Sequence, residues 1–390
     1  MRPDPLCPVC ASGDTTLFLE RADVPVHQNL VLADPALARA VPRGDLSMRV
    51  CSGCGFVFNS AFDLSRLAYG QDYDNTQSHS PMFDTYLDDL VRQLVETHGV
   101  RNAQIVEVGC GKGHFLRKLV TAQDAGNTGF GFDPSYAGPL SELGGALQFR
   151  RSFYDGGCTD VPADVVVCRH VIEHVPDPLR LLGSVRAALG RQPHAQVFFE
   201  TPCVEWILRH QVVWDFFYEH CSLFSAAALR VAFERCGFAC DAVDPVFGGQ
   251  YLWLRGQPAA SSRRPATSGA EVAALAQAYG MHERARRASW HARLLQLRAH
   301  GPVALWGAGA KGVTFANLVD SGHALIDCVV DINPAKQGCF VPGSAHPIVA
   351  PGELAGRGVR NVILMNPNYR QEVLQLLQSR HVPANLIDWS

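Results

Sequence analysis

The spacing of apolar positions changes several times along the chain, and each change marks an element. Over residues 81–100, Phe83, Tyr86, Leu87, Leu90, Val91 and Leu94 recur at helical spacing, which predicts a helix with one apolar face. Gln104-Ile105-Val106-Glu107-Val108 then reads as a short strand. Further apolar strand segments fall at 129–132, 165–168 and 196–200, and the alternation with helices runs to about residue 256. Such alternation predicts a parallel sheet with helices on both faces. Residues 257–269, rich in Pro, Ala, Ser and Arg, read as a linker. A helical pattern over 271–299 leads into a second series, with strands at 303–306, 328–331 and 362–365. Residues 1 to about 70 are expected to be irregular and turn-rich. Three units follow: a small module over 1–75, an α/β domain over 76–258 and a second α/β domain over 259–390.

Composition narrows the classes of function. The chain has 390 residues, is 47% hydrophobic and carries a formal net charge of −3. Its only lysines are Lys112, Lys118, Lys311 and Lys336, and no basic run offers a phosphate backbone a track, so no nucleic-acid partner is expected. No apolar stretch approaches the roughly 20 residues of a membrane span, and the first residues lack the apolar core of a secretion signal. A cytoplasmic protein with no membrane partner is the expectation. The 13 cysteines are odd in number in a large chain, which argues against a disulfide framework.

Four of those cysteines have metal-ligand spacing. Cys7-Pro8-Val9-Cys10 and Cys51-Ser52-Gly53-Cys54-Gly55 each place two thiols on one tight turn, and two such turns complete a tetrahedron around Zn2+. The 40 residues between the pairs exceed the spacing of short zinc ribbons. Four thiolates leave no open position for water, so the expected zinc is structural. The other reading is four buried free cysteines.

Two glycine-rich turns carry the candidate chemistry. Glu107-Val108-Gly109-Cys110-Gly111-Lys112-Gly113 joins a strand to a helix start, where backbone approaches a ligand closely and a helix N-terminus favours negative charge. Asp133, before Pro134, ends the next strand, at the position of an acid that holds a ribose diol. With Glu107 two positions before the loop, this set resembles the class I S-adenosylmethionine (SAM)-dependent methyltransferases. The resemblance implies a Rossmann-like domain in which Glu107 orients the methionine ammonium. The implied cofactor contacts are Glu107, Gly109, Gly111, Gly113, Asp133, Pro134 and His170. His170 and His174 lie in Asp164-Val165-Val166-Val167-Cys168-Arg169-His170-Val171-Ile172-Glu173-His174, which looks like the family's fourth strand and pocket loop. The adenine contact is expected near Ser152-Phe153.

The whole order, zinc module, SAM domain and third domain, resembles the C-methyltransferases of nucleotide-activated deoxysugars. Trp306-Gly307-Ala308-Gly309-Ala310-Lys311-Gly312 and Asp331-Ile332-Asn333-Pro334-Ala335-Lys336-Gln337-Gly338 carry the likeness at the back, and Phe216-Phe217-Tyr218-Glu219-His220-Cys221-Ser222 in the middle. The resemblance implies a second Rossmann-like domain that binds a nucleotide sugar, with Tyr218, Lys311, Asn333 and Lys336 as substrate contacts. It makes His220 the base that forms an enolate, Glu219 its orienting or ligand-contacting partner, and His174 and Tyr73 further catalytic residues. One position departs: the family tyrosine three places before the base is Phe217 here, which cannot donate a hydrogen bond. A SAM methyltransferase acting on nitrogen, oxygen or carbon of another small molecule therefore stays open beside the sugar reading. A zinc-ribbon RNA methyltransferase and a binding module with a decayed site fit less well. Asn366-Pro367-Asn368-Tyr369 reads as a strand end with Asn368 capping the next helix.

Overall fold

The computed structural model describes residues 5–67, 79–158, 160–190, 192, 194–259 and 268–389. Its front is more regular than the sequence suggests. Thr15–Pro25 pairs antiparallel with Arg43–Cys51, which pairs with Val57–Asn59, and Ser222–Leu223 completes this four-stranded sheet from far along the chain. The expectation of an irregular front fails because the first strand is bulged. Register shifts between Leu17 and Leu19 and between Arg21 and Val24 interrupt the apolar alternation by which a strand is recognised.

The middle sheet has eight strands in the order Phe238–Val246, Tyr251–Pro258, Gln196–Pro202, Val165–Arg169, Gln104–Val108, Thr128–Phe132, Leu147–Arg150, Ser141–Glu142. The five from Gln196–Pro202 to Leu147–Arg150 are parallel, and antiparallel strands border them on both sides. Ile105, Val106 and Val108 are all buried, as expected of a strand covered on both faces. The helix Pro81–Arg92 starts where the Ser80 hydroxyl accepts the Phe83 N–H, with Pro81 in the first turn. Gln104–Val108 is the strand at which the order reverses, and its carboxyl end is where open sheets of this kind bind ligands.

The third sheet is parallel throughout, in the order Ile348–Val349, Cys328–Val330, Val303–Trp306, Asn361–Leu364, Asn385–Asp388. Its order also reverses at its first strand, Val303–Trp306. The turn after Asn361–Leu364 is capped by Asn366 rather than by Asn368. The Asn366 side chain accepts the Asn368 N–H, while the Asn368 amide donates to Phe247 O at 2.9 Å and ties the third sheet to the middle one.

The helix Ala270–Ala299 binds the front sheet to the rest. At Gly280 an added Cβ would lie 2.1 Å from Phe18 O, so this helix and the first strand touch backbone to backbone. Near that contact Arg21 pairs with Glu283 at 2.9 Å, both buried, and donates to Val213 O at 2.6 Å and Phe216 O at 2.9 Å. This anchors the loop that leads to His220. Trp214, in the same loop, meets Trp290, Phe315 and Trp389 edge to face, so one apolar cluster runs from the front sheet into the third. Among the described residues no helix is long and apolar enough to cross a membrane.

Candidate active site

The switch points of the middle and third sheets open onto one cavity of about 410 Å3. Glu107, Gly109 and Gly111 line it from one side, and Gly307, Gly309 and Lys311 from the other. The two glycine-rich loops are held in the same way. Asp133 accepts the Gly111 N–H at 2.8 Å through Oδ2 and the Ser135 N–H at 2.8 Å through Oδ1. Asp331 accepts the Ala308 N–H at 2.8 Å through Oδ2 and the Asn333 N–H at 2.8 Å through Oδ1. Both carboxylates keep lone pairs for a ligand.

The first loop fits the methionine end of SAM. Glu107 is 3% exposed, and its Oε2 has no hydrogen-bond partner. Burial pushes its pKa up to about 8, against the pull of Arg169. A buried carboxylate oxygen left unpaired on a cavity wall suits a cationic ligand group. Gly109 takes φ 69°, and a Cβ there would strike the Val171 side chain at 2.1 Å, whereas one at Gly111 would meet nothing. Gly113, with φ 74°, precedes the helix His114–Thr121, and Pro134 follows Asp133 on an exposed turn.

A charged network unseen in the sequence lies under this loop. Glu200 is fully buried and binds Arg169 at 2.7 Å and His170 Nε2 at 2.7 Å, and it accepts the Tyr86 hydroxyl. Burial alone would raise its pKa, but Arg169, His170 and Tyr86 bring it down to about 2. Burial opposes a charge on His170, yet Glu173 and Glu200 raise its pKa to about 9. His170 also takes φ 55°, an uncommon conformation for a side-chain-bearing residue and one met at functional sites. Arg169 lines the cavity and lies over the Phe115 ring at 4.6 Å. A charge following the apolar run in each of two buried strands was the available signal for Arg169 and Glu200.

The predicted catalytic residues divide. His174 and His220 come together, their rings 4.8 Å apart and nearly perpendicular at 88°. His220 also meets the Phe217 ring at 4.0 Å. Burial first, then the charges of His174, His170 and Lys311, hold the His220 pKa well below the ordinary histidine range. Glu219 lines the cavity, but its carboxylate accepts the Gln28 N–H at 2.9 Å and lies 3.5 Å from His27 Nδ1, turned to the front module rather than to His220. Tyr73 lies outside the described residues. Tyr218 is a correction to the expected substrate contacts: it is fully buried, its ring lies tilted against Phe62 at 5.2 Å and its hydroxyl donates to Asp63 O at 3.2 Å, outside the cavity lining. The chain turns here, with the His220 N–H donating to Phe217 O at 3.2 Å, and the turn leaves Phe217, Glu219 and His220 on the cavity while Tyr218 packs away from it.

At the back, Lys311 lines the cavity, pairs with Asp215 and lies over the Trp206 ring at 5.5 Å. Lys336 is buried and donates to Ala308 O at 3.0 Å and Asn29 Oδ1 at 3.3 Å. Asn333 is 3% exposed, lines the cavity and has an Nδ2 without a partner. The helix Ala310–Val319 begins at Gly309 with no side-chain cap. Outside the cavity lining, Cys7, Cys10, Cys51 and Cys54 converge with all four sulfurs within 4.8 Å of one another, at 3.7 Å for Cys7–Cys54 and 3.4 Å for Cys10–Cys51. Four thiols so spaced suit a tetrahedral Zn2+ with bonds of about 2.3 Å.

Comparison with known proteins agrees with this layout. Residues 79–243 match a methyltransferase domain and residues 263–384 a C-methyltransferase C-terminal domain. The C-methyltransferase NovU of Streptomyces niveus is 26% identical over 404 aligned positions, covering 96% of this chain and 92% of that protein. A ubiquinone biosynthesis O-methyltransferase of Vibrio campbellii is 32% identical over 114 residues, 28% of this chain and 47% of that one. Among solved structures, the N,N-8-amino-8-demethyl-D-riboflavin dimethyltransferase RosA of Streptomyces davawensis aligns over 45% of this chain and 55% of its own, with 22% identity and a TM-score of 0.35. The chain is a SAM-dependent methyltransferase in which a methyltransferase domain is followed by the C-terminal domain of the C-methyltransferases.

Proposed function

We propose that this enzyme methylates a carbon atom of a nucleotide-activated keto-deoxysugar. The observation that carries the reading is the pair of equivalent glycine-rich loops, each with its acid, opening onto one cavity from two different sheets. One suits SAM, which leaves the other for a second nucleotide-like ligand. The uncapped start of Ala310–Val319, with Lys311 in its first turn, favours a phosphate there, and the unpaired Asn333 Nδ2 adds a buried donor. Lys336 fixes the loop through Ala308 O. Transfer to carbon is supported by the C-terminal family match and by the likeness to a C-methyltransferase over nearly the whole chain.

On this reading His220 is the general base. Its depressed pKa keeps the ring uncharged near neutral pH, with a lone pair free to take a proton from the carbon beside the keto group. The released electron pair moves onto the keto oxygen, and His174, across the same wall, is placed to contact the enolate. Glu219, held by Gln28 and His27 of the front module, contacts the acceptor from the cavity wall. Bound SAM supplies an electrophilic methyl group, and Glu107, with Asp133 and His170, holds the cofactor. The four cysteines hold a structural Zn2+ that takes no part in the reaction. A cytoplasmic location and the three units at 1–75, 76–258 and 259–390 belong to the same proposal.

The test is calorimetry of thymidine diphosphate against protein loaded with S-adenosylhomocysteine. Micromolar binding that Lys311→Ala weakens at least tenfold supports a nucleotide at the back loop, whereas no response to any nucleotide removes the sugar reading. One observation favours a second reading. Phe217, 4.0 Å from His220, brings no hydroxyl to an enolate, which suits a nitrogen, oxygen or carbon acceptor on another small molecule. Product analysis that finds the methyl group only on a heteroatom would select it.

A further inference from the structure

We infer that Glu173, His174 and His220 form a second metal site, which takes a divalent transition-metal ion on the wall of the catalytic cavity. One ligand atom from each of the three lies within 4.8 Å of the other two. The ligands come from two elements tied to each other, Glu173 and His174 from the short turn Ile172–His174 after the strand Val165–Arg169 and His220 from the loop that enters Ser222–Leu223, where the Ser222 hydroxyl donates to Val175 O at 2.7 Å. All three line the cavity.

The donor set suits such an ion. Two imidazoles and one carboxylate are ligands for Zn2+, Fe2+, Co2+ or Ni2+, and three protein ligands leave coordination positions open to the cavity. That separates the site from the closed four-sulfur cluster at the front. The carboxylate is already aimed. Glu173 is fully buried, its Oε1 lies 3.3 Å from His170 Nδ1, and its Oε2 accepts the Thr201 hydroxyl at 3.0 Å. A carboxylate has about four lone-pair sites, so those two contacts orient it and leave capacity for a metal. The cations Lys311 and His170 also reach His220, so the site should bind more weakly than the four thiolates. Occupation takes up the His220 nitrogen that the proposed proton abstraction needs, and on that reading the ion blocks transfer.

The experiment adds Co2+ to the full-length, zinc-replete protein and follows absorbance and bound metal. One further equivalent with weak visible bands and no sulfur-to-cobalt charge transfer is expected, because its ligands are nitrogen and oxygen. Glu173→Gln and His174→Ala should each lose that equivalent, with zinc content and far-ultraviolet circular dichroism unchanged as the control on folding. Wild-type protein that takes up no further ion would overturn the inference. So would a further equivalent that persists in both folded variants. Neither readout depends on methyl transfer, so the site can fail without touching the assignment of His220 as base.

Discussion

Glu107 shows how one buried atom sets a measurable pH dependence. Its folded pKa of about 8 lies above the ordinary value of 4.5, so the ligand-free protein carries a proton there across the neutral range. Pairing with an ammonium group requires the carboxylate, so binding must release that proton. The affinity for S-adenosylhomocysteine should therefore rise about tenfold per pH unit toward pH 8 and level off above it. Calorimetry between pH 6 and 8 measures this, and Glu107→Gln should flatten the dependence. Flat wild-type affinity would remove Glu107 as the ammonium partner. His220 predicts the opposite on the acid side. Because its pKa is held well below the usual histidine value, turnover should keep its plateau as pH falls through 6.5. His220→Ala should cost roughly 10²–10⁴-fold in turnover while S-adenosylhomocysteine binding is unchanged. An intact rate in that variant would move the base elsewhere. Glu107 and Asp133 were legible because fixed spacing around a glycine turn marks them. Glu200 and Arg169 were not, since each meets its partner only when two strands of the sheet lie side by side.

At the scale of elements, the parallel strands Leu147–Arg150, Ile348–Val349 and Asn385–Asp388 were not legible, whereas the central parallel strands and the long helix are where the sequence pattern predicts them, because burial on both faces or along one stripe leaves a simple pattern. The front strands left none, because bulges shift the pattern partway along. The return of Ser222–Leu223 to that sheet is invisible for another reason: two residues carry no period. Gly280 is a sharper case. In an exposed helix interior, Gly→Ala stabilises by about 1 kcal/mol. At this position the new Cβ would stand 2.1 Å from Phe18 O, a backbone atom that cannot swing aside. The sign should therefore reverse, and Gly280→Ala should destabilise by about 1–3 kcal/mol in chemical denaturation, as overpacking does. A stabilised variant would mean that helix and strand are further apart than the contact requires.

At the scale of the molecule, the dependence of one sheet on another lies in contacts that no stretch of sequence carries by itself. None of the four cysteines lines the cavity, yet a short path joins the two sites. The knuckle Cys51–Gly55 runs directly into Val57–Asn59, that strand pairs with Ser222–Leu223, and the pair begins two residues after His220. The same knuckle accepts the Gly269 N–H through Ser52 O at 2.9 Å, at the head of the helix that carries Glu283 and through it Arg21. On the proposed reading of a structural Zn2+, its loss should loosen the sheet beside His220 and leave the SAM loop, which stands on the middle sheet, in place. Chelation should then lower methyl transfer by about 10²-fold, the cost of displacing a catalytic group by about an ångström, with little change in S-adenosylhomocysteine affinity. Activity should return when Zn2+ is restored. If chelated protein turns over at the original rate, the front module does not position His220. If cofactor affinity falls in step with activity, the metal supports the fold as a whole rather than this one edge.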